Sequence, residues 1–357
     1  MAEYFTLHYQ HPGRIIYLLL SERKPKYTEE SIFTDTINRS AVRILYKPSL
    51  RLGSLKYPFS LFILQQIFSI RPAIVLAFLR RPAVVSLFCK FLFFWRNFKV
   101  IVSEDSLLSL SLVYENPSRF LRFLFHSLIR FFYPKAWRIV TPSETAKQDL
   151  IQNFLVPPER IVVNKNWVVW KDSEPSSTIL FDLLYAGRVD PEKNITLFVR
   201  IVNEVRKLWP EIRVCIVGGG SESMKIARLI HSYGLDSTIS MAGLQKDVAR
   251  YYKVSKIFCL TSSYEGLPVA GLEAMYYGLP VVTTNYNGAE ELVQDGKMGY
   301  VCPDEQRYIN CIIELLTKED LRVQIGIQAQ EYVRAHHGEE NLRKMMELLI
   351  EESEDKR

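Results

Sequence analysis

The chain has 357 residues, 48% of them apolar and 24% charged, a globular composition long enough for two domains that each bury a core. Its net charge of +6 conceals a division: residues 1–170 hold 23 Lys and Arg against 11 Asp and Glu, and the remainder 22 against 28. No run of about 18 uncharged apolar residues occurs and the N-terminus lacks the basic-then-apolar plan of a secretory signal, which excludes a spanning helix and points to a cytoplasmic protein.

In chain order, residues 71–76 read as a strand entered from Pro72, and residues 98–102 as another, followed by Ser103-Glu104-Asp105. Between them, residues 88–99 set Phe91, Phe93, Phe94, Trp95 and Phe98 among Lys90, Arg96 and Lys99. Residues 119–138 set Arg119, Arg122, His126 and Arg130 at helical spacing beside Phe120, Phe123, Leu124, Phe131 and Phe132. A basic amphipathic helix of this kind can lie in an anionic membrane surface; a core-facing helix with an exposed basic edge fits the same pattern. No recognition motif for nucleic acid accompanies it. Twenty-nine of the 44 aromatics lie in the first 170 residues and 14 of the 16 glycines from Gly187 onward, which predicts two domains meeting near the polar stretch 171–177.

From Ile179 short β-rich runs alternate with helical ones. Strands are expected at 179–186, 212–217, 239–242, 256–260, 280–284 and 299–302, the pattern of a parallel sheet covered by helices. In such sheets ligands gather at the carboxyl ends of the strands. The tail, 319–352, is helical by the spacing of Leu321, Ile325, Ala329 and Val333, and again of Leu342, Met345 and Leu349. The five cysteines follow no metal-ligand spacing and read as small core residues. His336 and His337, about 100° apart on a helix, make a poor chelating pair and read as surface or cap residues.

The motifs follow the strands. After the first comes Gly187-Arg188-Val189-Asp190-Pro191-Glu192-Lys193-Asn194, where an Arg and a Lys on one turn can neutralise a diphosphate or form only an exposed basic turn. Val217-Gly218-Gly219-Gly220 follows the next, a glycine turn that a dinucleotide fold would also offer. Gly243-Leu244-Gln245 follows the third. Then Tyr264-Glu265-Gly266-Leu267-Pro268-Val269-Ala270-Gly271-Leu272-Glu273 sets two carboxylates eight residues apart around a turn that opens a helix. Helix N-termini preceded by glycine hold phosphate, through free N–H groups and the positive end of the helix dipole.

The Glu-Gly-Leu-Pro opening, the Leu-Glu-Ala-Met centre and the Gly-Leu-Pro-Val-Val close of this stretch resemble the E-x7-E signature of the retaining glycosyltransferases of family 4, the glycosyl transferases of group 1. The resemblance implies an α/β protein of GT-B fold, two Rossmann-like domains facing each other across a cleft. Residues 1–172 would bind acceptor, residues 173–328 nucleotide sugar, and a terminal helix over 329–357 would cross back to the first domain. Residues 187–194 resemble the G-R-x-x-x-x-K-N segment, which makes Arg188 and Lys193 diphosphate ligands and, with Glu265, the catalytic set. Glu265 would orient the donor sugar and Glu273 accept from the ribose hydroxyls. Gly219 and Gly220 match the V-G-x-G turn, Leu244 borders the nucleobase, and Gly266, Leu267, Pro268, Val269 and Ala270 line the diphosphate. Asp-x-Asp occurs nowhere, in keeping with charge neutralisation by Arg188 and Lys193 and no metal or other cofactor.

The first half departs from the family. Only Gly13 and Gly53 precede residue 187, and residues 1–20 resemble the end of the first helix and the second strand, so the opening strand and its glycine-rich loop are expected to be absent. A start codon set too late, a truncated gene and a variant that manages without the loop all fit. Asp105 stands where many relatives carry a histidine facing the transferring sugar, on the acceptor side. The function implied is retaining transfer from a nucleotide sugar to a lipid-linked or polysaccharide acceptor in cell-surface glycan synthesis, peripheral on the inner face of the membrane. Its rival is a non-catalytic nucleotide-sugar-binding subunit, or a truncated inactive enzyme, docking a membrane partner.

Overall fold

The computed structural model describes residues 16–19, 42–45, 51–52, 55–56, 59–70, 72, 74–78, 80–115, 118–168 and 178–354. The chain divides into two compact units, Met1–Asn164 with Leu342–Arg357, and Lys165–Asn341. Residues 165–168 belong to the second because Asn166 donates to the Leu267 carbonyl and the Val168 N–H to that of His337. The stretch 171–177, expected to link the domains, lies outside the described residues.

The first unit contains β1 (Ile16–Leu19), β2 (Val42–Leu45), β3 (Arg51–Leu52), β4 (Leu55–Lys56), β5 (Ile74–Phe78), β6 (Lys99–Ser103), β7 (Arg138–Thr141) and β8 (Ile161–Val163). Six form a parallel sheet in the order β2-β1-β5-β6-β7-β8, while β3 and β4 pair antiparallel by themselves. The strand expected from residue 71 begins at Ile74, since Pro72 has no N–H for the ladder. β6 is buried along its whole length, the mark of a strand covered on both faces. Ser143 caps the helix Glu144–Phe154, its Oγ accepting from the Ala146 N–H at 3.2 Å. Of residues 1–20, Ile16–Leu19 forms β1, hydrogen-bonded directly to β2 and to β5; the rest lie outside the described residues.

The second unit contains β9 (Phe181–Ala186), β10 (Val214–Val217), β11 (Ile239–Gly243), β12 (Ser255–Leu260), β13 (Val281–Thr284) and β14 (Gly299–Cys302), each within two residues of its expected bounds. Successive strand residues point to opposite faces. Leu183 therefore packs with Ile201, Val214 and Ile257 in one apolar cluster, and Leu184 with Phe258, Met275 and Leu292 in another. The parallel order is β11-β10-β9-β12-β13-β14. From β9 the chain runs out on one side through β10 and β11, then crosses to β12 on the other, and the crevice at such a reversal is where open sheets bind ligands.

All five cysteines are buried and unpaired. The tail forms two helices, Glu319–His336 and Glu339–Glu354, parted at His337, which caps the first and is fully buried. Its Nδ1–H donates to the Asn166 carbonyl at 2.7 Å. Among the described residues no helix is long and apolar enough to cross a membrane.

Candidate functional site

Loops leaving the carboxyl ends of β9, β10 and β12 meet at the reversal point. The loop after β9 contains one 3-10 turn, Pro191–Lys193, opened by proline and closed by Asn194 in the left-handed conformation at φ 49°. This turn brings Lys193 Nζ to 2.6 Å from Glu265 Oε1 in the loop after β12, and Ser262 Oγ donates to the same oxygen at 2.6 Å. The two side chains are 17% and 11% exposed, so the ion pair is largely withdrawn from water. Backbone ties hold the loops together: the Ser263 N–H donates to the Glu192 carbonyl at 2.8 Å, and Thr261 Oγ1 to that of Lys193 at 3.1 Å.

Arg188 is different. Its guanidinium is 67% exposed and donates to Asp190 Oδ2 at 2.7 Å and Glu192 Oε1 at 2.6 Å. Two cations therefore face three carboxylates in this cluster. The turn that reads as a pair of available cations holds both in ion pairs, Arg188 because the residues two and four after it are acidic and Lys193 because the fold brings Glu265 to it from the loop after β12.

The glycines of the second loop are required by close approach. A Cβ on Gly218, whose φ is 129°, would stand 1.8 Å from the Gly187 carbonyl oxygen, and one on Gly220 would stand 2.3 Å from that of Val189. Gly219 is less confined; a Cβ there first meets Leu244 Cγ at 3.3 Å, and the Leu244 side chain is exposed above it. Asp190 Oδ1, besides its neighbour's interaction with Arg188, accepts from the Ser221 N–H and hydroxyl at 2.8 and 2.9 Å, which fastens the first loop to the second.

After Gly266 and Leu267, Pro268 opens the helix Val269–Tyr276. The N–H groups of Val269 and Ala270 stand in its first turn, where helix geometry offers no acceptor. Asn166 Nδ2 donates to the Leu267 carbonyl at 2.7 Å and holds this turn from outside. Further along the helix Glu273 accepts from the Tyr252 hydroxyl at 3.0 Å. Burial raises the Glu273 carboxyl above its ordinary range, against the lowering effect of that hydrogen bond. Tyr252 in turn stacks on Tyr277, ring centroids 5.6 Å apart. The two glutamates thus occupy unlike settings, Glu265 beside a cation and Glu273 beside a phenol.

Asp105 lies in the first unit, just after β6, and accepts from Ser103 Oγ at 3.2 Å, its carboxyl raised by burial. Its neighbour Glu104 is wholly buried, accepts from the Tyr133 hydroxyl at 2.9 Å, and is pushed up to about 7 by burial. Ser262, Glu192, Tyr252 and Asn166 were not singled out from sequence. Glu192 stands inside the 187–194 motif and could have been; Ser262 lies two residues before the Tyr264 motif, and Asn166, 101 residues from Leu267, has no local signal. Among the described residues no three His, Cys, Asp or Glu side chains are grouped to hold a metal ion.

Residues 170–332 match the family Glycosyl transferases group 1, and residues 15–169 match Glycosyltransferase Family 4. The N-acetyl-alpha-D-glucosaminyl L-malate synthase of Bacillus anthracis is 27% identical over 58% of this chain and 53% of its own length. The GalNAc-alpha-(1->4)-GalNAc-alpha-(1->3)-diNAcBac-PP-undecaprenol alpha-1,4-N-acetyl-D-galactosaminyltransferase of Campylobacter jejuni is 26% identical over 58% of this chain and 61% of its own. The chain thus spans between half and two thirds of these relatives. The solved structure of HepE from Anabaena, in complex with UDP and glucose, matches with a TM-score of 0.73 and 18% identity over 95% of this chain and 100% of that one, a likeness of fold. Two parallel sheets wrapped in helices, and family matches that together run from residue 15 to residue 332, make this chain a member of the group 1, family 4 glycosyltransferases with the GT-B fold.

Proposed function

We propose that this chain is a retaining glycosyltransferase that moves a sugar from a nucleoside-diphosphate donor to a lipid-linked or polysaccharide acceptor in cell-surface glycan synthesis, without a metal. The reading rests on the Lys193–Glu265 pair, held across the two loops that flank the sheet's reversal point. When the bond from the sugar to the diphosphate breaks, charge grows on the departing oxygen. A phosphate oxygen drawing Lys193 away from Glu265 would gain that cation, with the Val269 and Ala270 N–H groups as fixed donors. Glu265, still held by Ser262, would then accept from the sugar hydroxyls. Arg188 serves as far as the diphosphate wins it from Asp190 and Glu192. Glu273 would meet the ribose, and Leu244 the base.

The acceptor class is supported by the Campylobacter relative, whose name places its substrate on undecaprenol diphosphate. A place on the inner face of a membrane belongs to the same proposal. The test is transfer of labelled sugar from a panel of UDP-, GDP- and ADP-sugars to membranes by the purified chain, with anomeric configuration read by NMR. Transfer that retains configuration and is lost in Lys193→Ala and Glu265→Ala is expected. Donor binding with no turnover for any donor would replace this reading with the non-catalytic subunit.

A further inference from the structure

The helix Arg119–Phe132 buries only Ile129 and Phe132 fully, yet its sequence is mostly aromatic and aliphatic. Phe120 and Phe123 are each 71% exposed, and with about 100° per residue Phe120, Leu124 and Phe131 share one outward face. That face is continued by a second element. Phe91, from the helix Arg80–Leu92, packs edge to face on Phe131 at 5.7 Å, and the turn after it carries Phe94 and Trp95, 77% and 66% exposed. A single aromatic ridge crosses two helices.

The two helices that carry it are basic: Arg80–Leu92 holds Arg80, Arg81 and Lys90, Arg119–Phe132 holds Arg119, Arg122 and Arg130, and neither has an acidic residue, while the nearby Glu115 is paired with Arg80. Arg119 and Arg130 lie exposed on one flank of the apolar face of Arg119–Phe132. A hydrophobic protein partner could cover the aromatic rings, but two neighbouring helices that carry cations and no carboxylate fit an extended anionic plane, where each basic residue close to the surface adds attraction.

We propose that this ridge inserts into the interface of an anionic phospholipid bilayer, with Phe94, Trp95, Phe120 and Phe123 among the headgroups and Arg119 and Arg130 against the phosphates. The inference deepens the membrane placement proposed above. It is tested without donor or acceptor, so its failure and that of the transfer reaction are distinguishable.

The experiment is co-sedimentation of the full chain with vesicles of phosphatidylcholine alone and of phosphatidylcholine with phosphatidylglycerol, together with the tryptophan emission difference between the unaltered chain and Trp95→Phe. Binding to the anionic vesicles at least roughly tenfold tighter than to the neutral ones is expected, with a blue shift that Trp95→Phe removes. Phe120→Ser with Phe123→Ser should abolish insertion. Arg119→Glu with Arg130→Glu, which alters only exposed charge, should remove the preference for anionic lipid while the far-ultraviolet circular dichroism is unchanged. Equal binding to both vesicles, no binding to either, or a dimer in sedimentation equilibrium that the Phe variants dissociate would overturn the proposal.

Discussion

Lys193 Nζ and Glu265 Oε1, 72 residues apart in sequence, meet at 2.6 Å between the loops after β9 and β12. A pair so little exposed cannot lose one member without leaving the other charge stranded. Lys193→Met should therefore cost roughly 3 kcal/mol of stability, and adding Glu265→Gln should recover most of it. Urea denaturation of the two single variants and the double closes the cycle; additive losses would show the pair to be uncoupled. In a transfer assay each single variant is expected to lower the rate about 10²–10³-fold.

Glu192 and Asp190 compete with any phosphate for Arg188. Replacing the buried Glu192 by Gln keeps its size and removes one of those charges. The prediction is a dissociation constant for the best-binding nucleoside diphosphate lowered by about tenfold, one pKa unit's worth of interaction, with Arg188→Ala raising it. Calorimetric titration with UDP, GDP and ADP reads both, and an unchanged constant in Glu192→Gln would mean that Arg188 never reaches the phosphates.

Three glycine substitutions should separate close approach from conformational strain. Gly218→Ala places a carbon 1.8 Å from a backbone oxygen at a positive φ and should leave no stably folded second unit. Gly234→Ala also meets positive φ, 60°, but open space, and should cost only about 1 kcal/mol. Gly219→Ala meets only an exposed leucine, so its thermal midpoint should stay near that of the unaltered chain while nucleotide binding weakens.

Two buried groups titrate in the same pH window with opposite sign. Glu104 is raised by burial from 4.5 to about 7, so the fold holds its proton more tightly, and the stability this gives at low pH is lost as pH rises from about 4.5 to about 7. His337 is lowered by burial from 6.5 to about 4, so the fold favours its neutral form, and that stability is lost as pH falls from about 6.5 to about 4. Glu104→Gln, which keeps an acceptor for Tyr133, should leave unfolding midpoints that rise with pH between 4.5 and 6.5; His337→Gln should leave midpoints that fall. Denaturant midpoints across pH 4 to 8 check the signs.

The strands of the second unit were legible because each is a short apolar run bounded by turn residues, and the motifs stand at their carboxyl ends because a doubly wound sheet puts its ligand loops there. The first unit was harder. The strand after Pro72 begins late, and the aromatic helix 119–132 admitted two readings from its spacing alone, since periodicity tells that a face is apolar and not whether anything covers it.

Sequence by itself determined the family, the two-part composition and where the motif-bearing segments lie, since those are properties of neighbouring residues along one chain. Tertiary structure decided who pairs with whom: that Lys193 is bound to Glu265, that Arg188 is already claimed by Asp190 and Glu192, that Asn166 holds the Leu267 turn, and that Phe120 and Phe123 face outward. Electrostatic pairing and burial depend on distance and solvent access in space, and the fold sets both only once residues remote in sequence have been brought together.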